Sequence, residues 1–200
     1  SEQPYVSQVW NPDLGNGMYK NPVINADYSD PDVVCVGDDY YMTASSFNCI
    51  PGLPILHSKD LVNWELIGHA VTKLQPKAVF DRPSHGNGVW APCISYHNGE
   101  FYIYWGDPDY GVFMVKTKDP AGKWEDPVCV IPGKGMIDTS PLWDEDGRVY
   151  LVNGWANSRN RFASVITVRE LNAEGTKAIS DPVIVFDGNG SENRTCEGPK

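Results

Sequence analysis

The chain has 200 residues, of which 41% are hydrophobic and 21% charged, with a formal charge of −10. That length and balance suit one folded domain with a sizeable core, or most of one, and exclude a disordered chain. So acidic a surface repels phosphate backbones, which excludes nucleic acid as a natural partner, and no apolar run approaches the ~20 residues a membrane-spanning helix needs.

Along the chain, helical periodicity is scarce. Short runs rich in Val, Ile, Tyr, Phe and Trp alternate with clusters of Gly, Pro, Asp and Asn, which reads as short antiparallel strands joined by tight turns. The first unit runs from Pro31 through VVCV and the Gly37-Asp38-Asp39 turn to a strand over residues 40–43. It continues through SKDLVNWELI, residues 58–67. The second runs from Pro92 through CISY and the His97-Asn98-Gly99 turn to a strand over 101–104, then TKDPAGKWEDP at 117–127. The third runs from Pro141 through Leu142-Trp143 and the Glu145-Asp146-Gly147 turn to a strand over 149–152. Its continuation, VRELNAEGTKAIS, lacks the Trp that closes the other two. From each Pro to the matching Tyr (41, 102, 150) the interval is ten, ten and nine residues. A period of roughly 50–60 residues with about four strands per unit is the signature of a β-propeller; an all-β sandwich with coincidental spacing is the competing architecture.

Three units fill the chain to about residue 190, and CEGPK starts a fourth. Propellers close with about 4–8 blades. The expectation is therefore an all-β chain, residues 1–200, forming the N-terminal part of a longer protein. It begins at Ser1 without Met, so a leader is expected to have been removed or left out, and a periplasmic or extracellular location is favoured over the cytoplasm. The five cysteines have no CxxC spacing, and Cys35, Cys93 and Cys129 read as small buried hydrophobes in strands. The four histidines form no HxH or HExxH pattern, so no metal ligand is assigned.

In a propeller the innermost strands converge on the axis, and the residues just before them gather at one end of the channel. Those slots hold Asp30, Trp90, Asp138 and Glu197. Taken alone, each acid reads as a turn or loop residue. In matched register they read as paired carboxylates beside an aromatic face. That is the equipment of glycoside hydrolysis, where one carboxyl must donate a proton and the other must activate water or attack carbon. Asp27 and Asp32 lie off the slot. The chain also has 7 Trp and 10 Tyr, as suited to stacking on sugars as to strand packing.

The segments NPVINADYSDPDVVCVGDDYYMTASSF, LPILHSKDLVNWELIGHA, GVWAPCISYHNGEFYIYWG, MIDTSPLWDEDGRVYLV and CEGP resemble glycoside hydrolase family 43, from about Asn21 to Lys200. That resemblance implies a five-bladed β-propeller, of which this chain supplies three blades and the start of the fourth. It also implies β-xylosidase or α-L-arabinofuranosidase activity on xylan- or arabinan-type oligosaccharides. It gives Asp30 the role of general base, Glu197 that of general acid, and Asp138 that of orienting Glu197 and raising its pKa. Trp90 would wall the sugar pocket, with Phe47 and Trp155 as further pocket aromatics. Inversion of configuration would follow, with the Asp30 and Glu197 carboxyls about 6.5–9.5 Å apart. The LPILHSKDLVNWELIGHA stretch resembles the branch with an added C-terminal β-sandwich. No cofactor is needed for the chemistry. Family members often hold a channel cation with a His from a later blade, and no such His is assignable here.

Two other readings remain at this stage. A retaining fructan or sucrose hydrolase would share the layout, but its Asn-Asp-Pro and Arg-Asp-Pro motifs fit poorly to Ser29-Asp30-Pro31 and Ile137-Asp138-Thr139. A non-catalytic carbohydrate-binding propeller would keep the aromatics and lose an acid, whereas all three acids are present. Asn189-Gly-Ser and Asn193-Arg-Thr match the glycosylation pattern, which is common by chance. His85 reads as an exposed loop residue close to Trp90.

Overall fold

The computed structural model describes residues 6–189 and 195–200. Twelve strands form three antiparallel four-stranded sheets, each in simple chain order. The first contains β1 (Asp32–Val36), β2 (Asp39–Thr43), β3 (Gly52–Ser58) and β4 (Trp64–Val71). The second contains β5 (Pro92–His97), β6 (Glu100–Asp107), β7 (Gly111–Thr117) and β8 (Val128–Pro132). The third contains β9 (Met136–Trp143), β10 (Val149–Trp155), β11 (Val165–Leu171) and β12 (Val183–Asp187). Two four-residue helical turns, α1 (Lys77–Phe80) and α2 (Asn157–Asn160), interrupt the loops. Among the described residues no helix is long and apolar enough to cross a membrane.

The repeat read from the turns is the repeat of the sheets. Val36 pairs with Asp39 and His97 with Glu100 across two-residue connections, while a longer turn joins Trp143 to Val149. The two Lys-Asp motifs form equivalent turns. Asp60 accepts N–H bonds from Val62 and Asn63, and Asp119 accepts one from Ala121. The Trp that follows each turns its indole N–H back onto the loop: Trp64 to Leu61 and Trp124 to Pro120.

Packing follows from the period of two along a strand. On β6, Phe101, Ile103 and Trp105 face the first sheet and join Leu53, Ile55, Val71 and Ile94 in one core. Tyr102 and Tyr104 point the other way, into a second core with Met136, Val149, Leu151 and Leu171 of the third sheet. The middle sheet is thus buried on both faces, and its first strand, β5, touches both β1 and β9. Each sheet therefore leads with its inner strand. The third sheet carries exposed apolar residues, Leu142 and β12's Val183, Ile184, Val185 and Phe186.

Two expectations need correction. Cys35 and Cys129 are exposed, and only Cys93 is buried among the three strand cysteines. An apolar run does not say which face of a strand is covered: Cys35 shares the outward face of β1 with Val33, and Cys129 lies on the outer strand of its sheet. Asp138 does not precede its strand but lies inside β9, which begins at Met136. Of the glycosylation patterns, Asn193 and the Ser191 that completes the Asn189 motif lie outside the described residues.

Ring contacts tie the second and third sheets together. His97 stacks on Trp143 at 4.3 Å between centroids. The fully buried Tyr104 hydroxyl donates to the Gly175 carbonyl at 2.8 Å. Gly175 has φ +68°, and a Cβ there would strike the Tyr104 hydroxyl, so the turn requires glycine. Tyr104→Phe in the full-length protein removes this buried bond and strands the Gly175 carbonyl. It is expected to lower stability by about 1 kcal/mol, read as a shift in the urea midpoint at unchanged slope.

Candidate active site

Chain direction decides which residues share an end of the channel. The loops entering β1, β5 and β9 lie on one face, and so do the loops between the second and third strands of each sheet. That face therefore collects Asp30, Phe47, Trp90, Asp109, Asp138 and Arg159 from distant stretches of chain.

On that face a cavity of about 350 Å³ is lined by Asp30, Asp138 and Glu197 together with Ala91, Pro92 and Lys200. Asp30 sits at the mouth of β1 with φ +50°, a left-handed conformation that non-glycine residues rarely adopt. Its Oδ2 accepts the Ser45 hydroxyl at 2.7 Å, which orients the carboxylate. Asp138 is the register equivalent in the third sheet and has φ +54°. Ser140 pairs with Val152 and Ile137 with Gly154, so Asp138 and Thr139 together oppose the single residue Asn153. This β-bulge turns the Asp138 side chain out of the sheet and into the cavity.

Asp138 is half-buried, and its Oδ2 accepts the Gly198 N–H at 2.9 Å. Desolvation pushes its pKa above the usual carboxylate range. The Gly198 bond opposes this, and the neighbouring charges of Glu197 and Asp30 add to it. The residue after Glu197 is thus pinned to the neighbouring acid, and Gly198 makes the turn with φ +63°.

Asp32 and Lys200 were not picked out by the sequence. Two residues on from Asp30, Asp32 shares its face of the chain and points between sheets. It accepts the Ile94 N–H of β5 at 2.8 Å and pairs with Lys200 Nζ at 2.9 Å. The three-carboxylate cluster at the start of β1 thereby divides: Asp30 faces the cavity, Asp32 ties sheets together, and Asp27 is exposed. The only advance signal for Asp32 was its spacing of two from Asp30.

None of the three aromatics is among the residues that line the cavity. Trp90, half-buried and next to the lining residue Ala91, donates its indole N–H to the Gly86 carbonyl at 2.6 Å and its backbone N–H to Gly106 at 3.2 Å. Phe47 exchanges two backbone bonds with Val89, both 2.9 Å. Gly88 permits that approach, because a Cβ there would come within 2.5 Å of the Phe47 carbonyl. Trp155 lies at the end of β10, bonded to Thr167 and packed against Phe162. His85 is exposed. Among the described residues no three His, Cys, Asp or Glu side chains are set to hold a metal ion.

Three successive antiparallel sheets set three carboxylates around one cavity, an all-β arrangement of the kind found in propellers, and similarity to known proteins gives the family. The sequence model of glycosyl hydrolases family 43 matches residues 19–200. The chain belongs to glycosyl hydrolases family 43. It is 36% identical over 190 residues to a β-xylosidase of Formosa agariphila, covering 90% of this chain and 32% of that protein. It is 40% identical over 147 residues to a non-reducing end α-L-arabinofuranosidase of Bacteroides ovatus, covering 72% of this chain and 27% of that protein. A family 43 crystal structure from Bacillus licheniformis superposes with a TM-score of 0.73 at 35% identity, over 91% of this chain and 35% of that one. The chain spans about a third of the length of the relatives it matches.

One buried acid on the same face lies outside the cavity. Asp107, 2% exposed at the end of β6, accepts the N–H groups of Asp109 and Tyr110. Burial pushes its pKa up to about 6 against those bonds. A raised carboxyl pKa contributes stability that is complete below about 3.8 and lost as pH rises through about 6. Asp107→Asn keeps the acceptor and removes the titration. The full-length variant should therefore gain stability at pH 7.5 relative to pH 4.5 when compared with the parent, by up to about 2 kcal/mol in urea unfolding.

Proposed function

We propose that residues 1–200 are the N-terminal part of the catalytic domain of a glycosidase. This domain is a five-bladed propeller that removes terminal β-D-xylose or α-L-arabinofuranose from xylan- or arabinan-type oligosaccharides with inversion. The observation that carries this reading is the convergence of Asp30, Asp138 and Glu197 on one cavity from three separate stretches of chain. The names of the relatives support pentoside substrates, and the exposed apolar residues of the third sheet suit burial by a further blade.

In the proposed mechanism a terminal pentose enters the cavity with its ring toward Trp90. Glu197 donates its proton to the glycosidic oxygen as the bond to the anomeric carbon breaks. On the opposite face, Asp30 takes a proton from water as that water attacks the same carbon. Ser45 holds one oxygen of Asp30, which aims the other at the water. Asp138 fixes the Glu197 loop through its bond to the Gly198 N–H and so orients the acid. The products are a pentose of inverted configuration and the shortened oligosaccharide. Proton exchange with solvent then resets both acids.

The full-length protein should release nitrophenol from nitrophenyl β-D-xyloside or α-L-arabinofuranoside, with the inverted anomer appearing first by NMR. Asp30→Asn and Glu197→Gln should each lower kcat by roughly 10²–10⁴-fold. For Glu197→Gln the loss should be smaller on nitrophenyl glycosides, whose leaving group needs little protonation, than on natural oligosaccharides. Retention of configuration, or near-parental rates in either variant, would reject the assignment.

A further inference from the structure

Arg159 lies in α2, on the loop between β10 and β11, and is the point at which three loops of the active face meet. Its guanidinium grips both oxygens of Asp109, Nε to Oδ1 at 3.1 Å and Nη2 to Oδ2 at 3.2 Å. Asp109 belongs to the turn between β6 and β7 in the second sheet. Nη2 also donates to the Asn87 side-chain oxygen at 3.0 Å, on the loop that leads from the first sheet into β5. The same guanidinium lies over the indole of Trp90, with Cζ 5.2 Å from the ring centroid. The Arg159 side chain is only 22% exposed and Asp109 28%, so the pair is largely shielded from water.

These contacts do more than bridge loops. A fork gripping a carboxylate fixes the plane of the guanidinium. The guanidinium carbon lies over the Trp90 ring, while the Gly86 carbonyl holds the ring's N–H edge. An indole held at one edge and one face presents the remaining face in a single orientation. On the same protein face, Trp155 has Arg169 at 5.8 Å, but that arginine bonds Asn153 within its own sheet. Arg159 instead joins its own loop in the third sheet to the β6–β7 turn of the second sheet and to the connection that leads from the first sheet into β5.

We propose that Arg159 is a positioning residue for Trp90, holding the indole as the wall of the sugar site. The proposal rests on the reading that Trp90 contacts the terminal pentose. A wall that binds substrate and transition state alike sets KM more than kcat. Lysine cannot substitute, because a point charge does not make the two-pronged bond to Asp109 that sets the cation over the ring.

The test is a mutant cycle in the full-length protein, measured on a nitrophenyl pentoside. Arg159→Ala should raise KM roughly 5- to 30-fold, with kcat within about threefold of the parent. Arg159→Lys should recover little of the loss, and Asp109→Asn should raise KM in the same direction by less. In a Trp90→Ala background, Arg159→Ala should have almost no further effect on KM. Full additivity of the two substitutions, or rescue by lysine, would overturn the positioning role while leaving Trp90 as the wall. An unchanged KM in Trp90→Ala alone would remove the wall and this inference with it, leaving the carboxylate assignments to their own test. Should Arg159→Ala fail to fold, Arg159→Lys and Asp109→Asn carry the same comparison against Trp90→Ala.

Discussion

Face-to-face packing of the second sheet between its neighbours is the constraint from which the rest follows. β6 is buried on both sides, Phe101, Ile103 and Trp105 in one core and Tyr102 and Tyr104 in the other. A strand with two covered faces cannot slip by one residue without sending aromatic rings into the wrong core. Its register is therefore held, and with it the position of β5 between β1 and β9. Twisted sheets stacked this way bring their leading strands side by side. The acids at those strand starts become neighbours although more than a hundred residues separate Asp30 from Asp138.

Within that frame, local backbone conformation does the aiming. Asp30 and Asp138 both take positive φ, and Asp138 does so at a bulge where two residues oppose one. Such conformations cost of order 1–3 kcal/mol each and persist only where the surroundings enforce them. Here the enforcing contacts are visible: Ser45 on Asp30, and Gly198 on Asp138. The same bonds that stabilise the bends couple the carboxylates to the neighbouring chain. Asp32 shows the complementary use of an acid at a strand start. Its two oxygens satisfy Ile94 of the next sheet and Lys200 of the last described segment, so it serves assembly of the channel.

The aromatics are organised by a different logic. Trp90 and Phe47 sit on loops, and loops gain definition from partners outside themselves. Phe47 is paired to Val89 by backbone bonds, and Trp90 is held by Gly86 and by the Arg159 guanidinium. Arg159 reaches from the third sheet to Asp109 of the second and Asn87 of the first connection. The face carrying the cavity is thus cross-linked by polar contacts above a base cross-linked by apolar ones.

Chain order alone established the strands, the turns and their repeat. Turn residues and alternating apolar positions act within a few neighbours, so Gly37-Asp38, Asn98-Gly99 and the Pro-to-Tyr interval could be read directly. Repetition then implied that Asp30, Asp138 and Glu197 occupy equivalent slots, and the family motifs named them. Contacts between residues far apart in the chain carried no such local mark. Nothing in the two runs that contain Cys35 and Cys129 indicated which face would meet a neighbouring sheet, and both are exposed. Nothing announced that Asp138 would lie in a bulge inside β9, that Asp32 would bond across to Ile94, or that Arg159 would close over Trp90. Those outcomes were settled by the stacking of whole sheets, because burial and long-range hydrogen bonding are properties of the assembled layers and not of any one strand.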